Sequence, residues 1–434
     1  MSEEKKSFVQ KMDEVADDYA LRPVPKSERY GWVKMFFVWL CWNVVVGDLA
    51  TGTALGSSLT FSDAMIALSI GDIILVVMMI ATVYIGSKTG LSSMPLLRFT
   101  MGRVGTYICS AIICFTSVGW FAVQLGFFGQ IWSQYLPVSV PVLAVIGGVL
   151  MSTTAIVGFK GMEKLSSLAA IPLLLFIVLA LFNSIRLIGL DTLFTYTPAS
   201  NQVNSLTIGI STTVGSWAVG MATVPDCGRY AKTDIVKIAL VWAGGLFFGH
   251  FLLPIAGIAA ALHLNTWDFG VVSDYIGIMA TGSGVVGAVL ITLAAWTTNQ
   301  ANLYSGANAL CNIIEAKKWR LTTILAVIAV ALGFGGAVDY FVPYMNWLGI
   351  LVPPMAAIMV SDYLILPLFG MKEERNYEDI SYDKIPMIKL PAFLAWACGI
   401  AIAVFTPGIQ TLNGLIGTMV LHVILSKLMW KKSA

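Results

Sequence analysis

Ser117, Trp120 and Gln124 stand at i, i+3 and i+7 in the run from Cys114 to Gln124, so they share one face of a helix. An indole between two hydrogen-bonding groups suits a flat polar ligand: the ring stacks on it and the polar groups read its edge. A second tryptophan, Trp217, lies in Val214–Ala222, which reads VGSWAVGMA. Gly215 and Gly220 make that stretch a poor regular helix, since glycine costs about 1 kcal/mol against alanine. A backbone opened there would offer free N–H and C=O groups to a ligand. Two tryptophans beside such a break can sandwich a planar heterocycle. Thr297 and Thr298 follow Ala294 closely, and adjacent hydroxyls with a freed carbonyl before them are oxygen ligands of the kind Na⁺ takes. Unwound carbonyls of the first span would complete the shell. Threonines bonding back to their own helix are the common alternative. Asp48 and Asp72 lie in apolar surroundings, where a carboxylate costs roughly 2.5–3.5 kcal/mol. Asp48 is read as a functional group, for a substrate amine or a proton, and Asp72 as bonded in a polar pocket between helices. His250, His263 and His422 are scattered without ligand spacing and are read as structural or interfacial. No catalytic set, metal site or Walker spacing is present, so an enzyme is not expected.

These residues need a membrane to position them. The chain has 434 residues, of which 57% are hydrophobic and 12% charged, with a mean hydropathy of +0.81. Soluble chains carry about 25% charged residues. The six cysteines have no paired spacing and read as reduced, apolar side chains. Twelve spans are expected, at 31–56, 64–85, 104–134, 141–157, 165–183, 206–225, 236–262, 277–306, 321–335, 341–368, 390–404 and 411–426. With both termini cytoplasmic, 25 of the 26 Lys and Arg face inward and only Arg186 faces out. The stretch Val46–Ala54, VGDLATGTA, agrees with Val214–Ala222 at Val46/Val214, Gly47/Gly215, Ala50/Ala218, Gly52/Gly220 and Ala54/Ala222. Five spans separate the two, so they run in opposite directions. Paired Gly-interrupted spans point to the central site of an inverted-repeat transporter. The expected fold is an all-α polytopic membrane protein of twelve helices, with a 5+5 inverted repeat and broken helices 1 and 6. Its parts are a cytoplasmic N-terminal segment (1–30), a transport core (31–368, as 31–183 and 206–368), a cytoplasmic loop (369–389), two accessory helices (390–426) and a cytoplasmic tail (427–434).

The chain resembles the nucleobase–cation symporter family, the cytosine/purine/hydantoin permease type. The resemblance covers nearly the whole chain. It is carried by RPVPKSER before span 1, YIGSKTGL…LLRF after span 2 and SVGWF in span 3. VGSW and Asp226…Arg229 in span 6, WTTN…LYSGA in span 8 and VPPMAAIMVSDYL in span 10 complete it. It implies a leucine-transporter-type fold with Na⁺- or H⁺-coupled uptake. It makes Trp120 and Trp217 the two stacking faces, with Ser216 and neighbouring backbone at Gly215 as hydrogen-bonding partners. It makes Thr297, Thr298 and the carbonyl of Ala294, with carbonyls near Cys41 and Val44, the Na⁺ ligands. This chain departs from the family at Ser117, where glutamine is common, and at Ala294, where cytosine permeases have asparagine. Gln124 on the same face restores an amide. Asn43 and Asp48 add polar groups in span 1, and Asp48 stands where a neutral residue is expected.

The reading is a secondary active symporter in the cell or inner membrane, importing a nucleobase or related planar N-heterocycle with Na⁺. The alternative is a proton-coupled importer of a vitamin precursor or cationic heterocycle, resembling hydroxymethylpyrimidine or pyridoxine. The partners expected are the small heterocycle and the bilayer, with no nucleic acid and no obligate protein partner. A channel would want pore-lining rings of like residues, which one chain with an inverted repeat does not offer.

Overall fold

The computed structural model describes residues 19–196, 198, 205–378 and 380–429. The first 18 residues of the expected N-terminal segment and residues 430–434 of the tail lie outside them. The described chain is helical. Its longer helices are α1 (Trp32–Asn43), α2 (Val46–Gly56), α3 (Phe61–Thr89), α4 (Ser93–Met101), α5 (Thr106–Trp132), α6 (Val140–Val157) and α7 (Phe159–Ile188). Then follow α8 (Leu206–Thr223), α9 (Ile235–Leu246), α10 (Leu252–Leu264), α11 (Phe269–Thr281), α12 (Gly284–Cys311) and α13 (Lys318–Phe334). The last are α14 (Phe341–Leu351), α15 (Pro353–Val360), α16 (Leu390–Phe405) and α17 (Gln410–Met429). Among the described residues seven helices are long and apolar enough to cross a bilayer, or nine if each of two bent pairs is one span.

The second span shows how sequence becomes packing here. In α3, Ile66, Ile70, Ile73 and Val77 recur at helical spacing and are exposed, whereas Ala64, Ala67, Leu68, Gly71 and Leu75 are buried. The small residues let α8 approach: a Cβ on Gly71 would lie 2.5 Å from Thr213. Small residues between helices and branched residues outward are the membrane pattern. Thr60 caps the start of α3, and Gly90 ends it in the left-handed region at φ 78.

Contacts between spans repeat with the symmetry expected of the two halves. Span 1 packs on span 7 (α1 on α9, α2 on α10) as span 6 packs on span 2 (α8 on α3). Span 3 packs on span 9 (α5 on α13) as span 8 packs on span 4 (α12 on α6). Spans 1, 2, 6 and 7 make one four-span group, and spans 3, 4, 8 and 9 the other.

The breaks fall partly where expected. Span 1 bends by 51° between α1 and α2. Span 6 does not open at Val214–Ala222: α8 runs through Gly215 and Gly220 to Thr223, and only then gives way to a short helix at Pro225–Gly228. Span 8 does not start at 277; α11 and α12 meet at 104° around Gly282 and Ser283. Span 7 holds an unexpected π-turn, Phe247–Phe251. Pro254 has no N–H for the carbonyl of His250, which loosens the ladder there.

Candidate functional site

The break in span 1 frees backbone oxygens. Val45 is extended, at φ −105 and ψ 130, and the Asp48 N–H turns to Val45 O at 3.0 Å rather than to Val44 O. The carbonyls of Cys41 and Val44 therefore point to span 8 instead. Thr297 Oγ1 lies 2.9 Å from Ala294 O and 3.1 Å from Cys41 O. Thr298 Oγ1 lies 3.1 Å from Ala294 O and 3.3 Å from Val44 O. All five residues expected to hold Na⁺ thus meet as two hydroxyl and three carbonyl oxygens. The donor set is all oxygen and uncharged, which fits a hard monovalent cation.

Beside it lies a cleft that encloses about 580 Å³, its open mouth included. Ser117, Trp120, Gln124, Ser216 and Trp217 line it, and so does Thr298, which belongs to the oxygen cluster as well. Trp39, Trp42, Asn302 and Ser305 line it too, and sequence reasoning did not single them out. Three buried polar atoms on its wall have no hydrogen-bond partner: Ser117 Oγ, Gln124 Oε1 and Trp42 Nε1. Gln124 keeps its amide oriented by donating from Nε2 to Asn299 Oδ1 at 2.9 Å. An acceptor, a donor and a hydroxyl left open between indoles can read the edge of a flat heterocycle.

Three residues expected at the ligand stand off the cleft wall. Gly215 packs against span 10, where an added Cβ would lie 2.4 Å from Met345 O. Asn43 bonds back to its own helix, Nδ2 to Trp39 O at 2.7 Å, and so secures the end of α1. Asp48 lies behind Trp217, whose Nε1–H it accepts at Oδ2 over 3.2 Å. The residue most clearly missed is His250. It is fully buried, with Nε2 2.7 Å from Ser216 Oγ and Nδ1 2.6 Å from Asp72 Oδ1. The signal was present, since buried carboxylates in spans 1 and 2 each require a partner and span 7 supplies an imidazole.

Aromatic rings close the cleft on two sides. Trp120 meets Phe341 at 5.9 Å between centroids, Phe341 meets Phe127 at 5.2 Å, and Phe127 meets Phe269 at 4.4 Å. Beyond this row lies a wider vestibule lined by Gln130, Gln134, Asp268 and Asp339. On the opposite side Trp42 meets Phe159 at 6.4 Å, and Phe159 stacks on Tyr230 at 4.0 Å. Below them the Arg229 Nη2 donates to the Tyr304 hydroxyl at 2.7 Å.

The sequence matches, over residues 23–428, the family described as permease for cytosine/purines, uracil, thiamine and allantoin. Cytosine permease of Escherichia coli (strain K12) is 28% identical over 419 residues, 96% of each chain. Hydantoin permease of Microbacterium maritypicum is 21% identical over 413 residues, 89% of this chain and 83% of that one. Among solved structures, MHP1, a nucleobase-cation-symport-1 family transporter in a closed conformation with bromovinylhydantoin bound, superposes with a TM-score of 0.80. That match is 20% identical and covers 96% of this chain and 98% of the other.

Proposed function

The chain belongs to the family of permeases for cytosine/purines, uracil, thiamine and allantoin, and we propose that it is a secondary active symporter importing a cytosine- or purine-like heterocycle together with Na⁺. One observation carries this reading. Four indoles and three unpartnered polar atoms line one cleft, and Thr298 belongs both to that cleft and to the five-oxygen cluster. A cation drawn to the cluster fixes Thr298 and the end of α1. That orders one wall of the cleft, so each occupant raises the affinity of the other by the same factor.

The chemistry of the half-helix end narrows the ligand. The N-terminus of a broken helix favours an anionic group. Here the first turn of α2 carries its own carboxylate, Asp48, so a ligand with a carboxylate is disfavoured and a neutral or amino-bearing ring is favoured. The two aromatic rows give alternating access its barriers, one on each side of the cleft. The Lys and Arg distribution supports a reading with both termini in the cytoplasm, in a cell or inner membrane.

Thermal shift of the purified chain against nucleobases, hydantoins, allantoin, pyridoxine and hydroxymethylpyrimidine identifies the ligand, because a compound that binds only the folded state raises its stability. Uptake of that compound into proteoliposomes, with and without an inward Na⁺ gradient, then tests the coupling. Concentrative uptake that needs the gradient is the expected result. A chain that no planar heterocycle stabilises, or uptake indifferent to Na⁺, overturns the reading.

A further inference from the structure

His250 sits on the π-turn of span 7 between two carboxylates from other helices. Its Nδ1 is 2.6 Å from Asp72 Oδ1 on α3, and its Nε2 is 3.6 Å from Asp48 Oδ1 on α2. These are the charged groups that face it. From α1, α7, α9 and α10, packed on the same turn, no other charged group reaches it among the described residues. From α8 come Ser216 and Trp217. Asp48 Oδ1 and Asp72 Oδ2 are buried without a hydrogen-bond partner. No group of His, Cys, Asp and Glu among the described residues is arranged to hold a metal.

The hydrogen bonds locate the protons. Ser216 has one hydroxyl hydrogen and donates it to Thr213 O at 2.8 Å. The 2.7 Å contact with His250 then requires Nε2 to be the donor. The contact with Asp72 on the other side requires a second proton, on Nδ1 or on the carboxyl. The His250–Asp72 pair so arranged is neutral overall. With one of those protons lost, two ionised carboxylates would flank a neutral imidazole inside the bilayer, at a cost of several kcal/mol per ion.

We propose that Asp48, His250 and Asp72 form an intramembrane proton site, linked through Ser216 and Trp217 to the ligand cleft, so that a transport cycle carries a proton with the heterocycle. This rests on the proposed function only for the cleft. When the site gives up one proton, the Nδ1–H remains on the Asp72 carboxylate and Nε2 becomes an acceptor. The Ser216 hydroxyl then turns from Thr213 O to Nε2. That hydroxyl lines the cleft, and the indole that holds Asp48 is one of its walls. Proton occupancy therefore resets the Ser216 hydroxyl and changes the charge beside the Asp48 carboxylate that holds Trp217, and the released proton leaves on the side to which the cleft is open.

The test uses the full chain in proteoliposomes with a pH dye inside and equal Na⁺ on both sides. An inside-alkaline gradient of about one pH unit should raise steady-state accumulation of radiolabelled cytosine about tenfold, the ratio set by one proton per ligand. The lumen should acidify as cytosine enters. Asp72→Asn and His250→Gln should lose both effects while keeping the ligand-dependent thermal shift. Cytosine that accumulates on a Na⁺ gradient, with no response to pH and no acidification, overturns the proton site and leaves the proposed function standing. Should cytosine not be transported, that ligand reading fails and the proton site is judged on the ligand-free protein. Its pH-difference infrared spectrum between about pH 5 and 9 should show a titrating imidazole or carboxyl band that His250→Gln or Asp72→Asn removes. A wild-type spectrum without that band, or a band that survives in both variants, overturns the proposal.

Discussion

Trp217 offers the cleft a ring face while its N–H is committed to Asp48, so two substitutions separate the two roles. Trp217→Ala removes both and should weaken binding of the transported heterocycle by about 1–3 kcal/mol, the worth of one stacked face. Trp217→Phe keeps a ring and should cost less. Calorimetric binding that matches the wild type in the alanine variant would remove Trp217 from the ligand. Thr298→Ala takes one oxygen from the cluster and leaves no large cavity. It should raise the Na⁺ concentration for half-maximal uptake by about two- to tenfold, the equivalent of a lost hydrogen bond of roughly 0.5–1.5 kcal/mol. Equal Na⁺ dependence in variant and wild type would take Thr298 out of the cation site. The hydroxyl side of the oxygen cluster was legible in the short spacing of Ala294, Thr297 and Thr298, whereas Cys41 and Val44 were named only through the family resemblance. The Asp48–His250–Asp72 group was not legible, because three spans supply one residue each and the imidazole comes from span 7, far from spans 1 and 2 in sequence. Only packing decides that Asp48 turns behind Trp217 instead of into the cleft.

At the scale of helices, the matched glycines serve close approach more than backbone opening. An added Cβ on Gly47 would lie 2.9 Å from the Trp120 ring, and one on Gly220 would lie 2.5 Å from the Trp217 ring. Each proposed stacking face is thus seated over a glycine of one of the paired stretches. Gly215 instead admits the backbone of α14 at Met345. The three positions should respond differently to alanine. Gly47→Ala and Gly220→Ala push on a ring that can tilt, and should weaken ligand binding by about 1–3 kcal/mol, the usual cost of overpacking. Gly215→Ala pushes on backbone, and should lower the thermal midpoint with little selective effect on the affinity of the protein that remains folded. Midpoints and binding constants measured on all three variants check this. An affinity loss confined to Gly215→Ala would restore the reading in which that glycine faces the ligand. The pattern of small residues in span 6 was visible in the sequence, but it fits an open backbone and a closely packed helix equally well. Burial beside α3 and α14 favours the closed ladder, since every backbone group at that depth must be satisfied. The turn between α11 and α12 escaped for a related reason: the apolar run crosses Gly282 and Ser283, and hydropathy does not register a 104° change of direction.

For the molecule as a whole, the proposed alternating access makes the two aromatic rows the barriers on either side of the cleft. Only one can open at a time if the transporter is not to leak. Phe341 is the hinge of the row toward the vestibule, because it alone touches both Trp120 and Phe127, at 5.9 and 5.2 Å. Each edge-on pair contributes about 0.5–1.5 kcal/mol beyond its burial, so losing two should shift the balance toward the vestibule-open state by roughly tenfold. Ser117 reports that shift, since its hydroxyl lines the cleft and makes no hydrogen bond that a substitution would break. With both termini cytoplasmic, as proposed, the vestibule at Gln130 and Gln134 faces outside, and in a background with the native cysteines replaced Ser117→Cys should react slowly with a membrane-impermeant thiol reagent added from that side. Adding Phe341→Ala should speed that reaction about tenfold, and ligand with Na⁺ should slow it again by filling the cleft. Reagent admitted only from the cytoplasmic side should label the double variant more slowly than Ser117→Cys alone, because opening one row depletes the state in which the other is open. A labelling rate from outside that Phe341→Ala leaves unchanged would show that this ring is not the barrier. Faster labelling from both sides at once would show instead that the substitution loosens the fold without shifting the transport equilibrium.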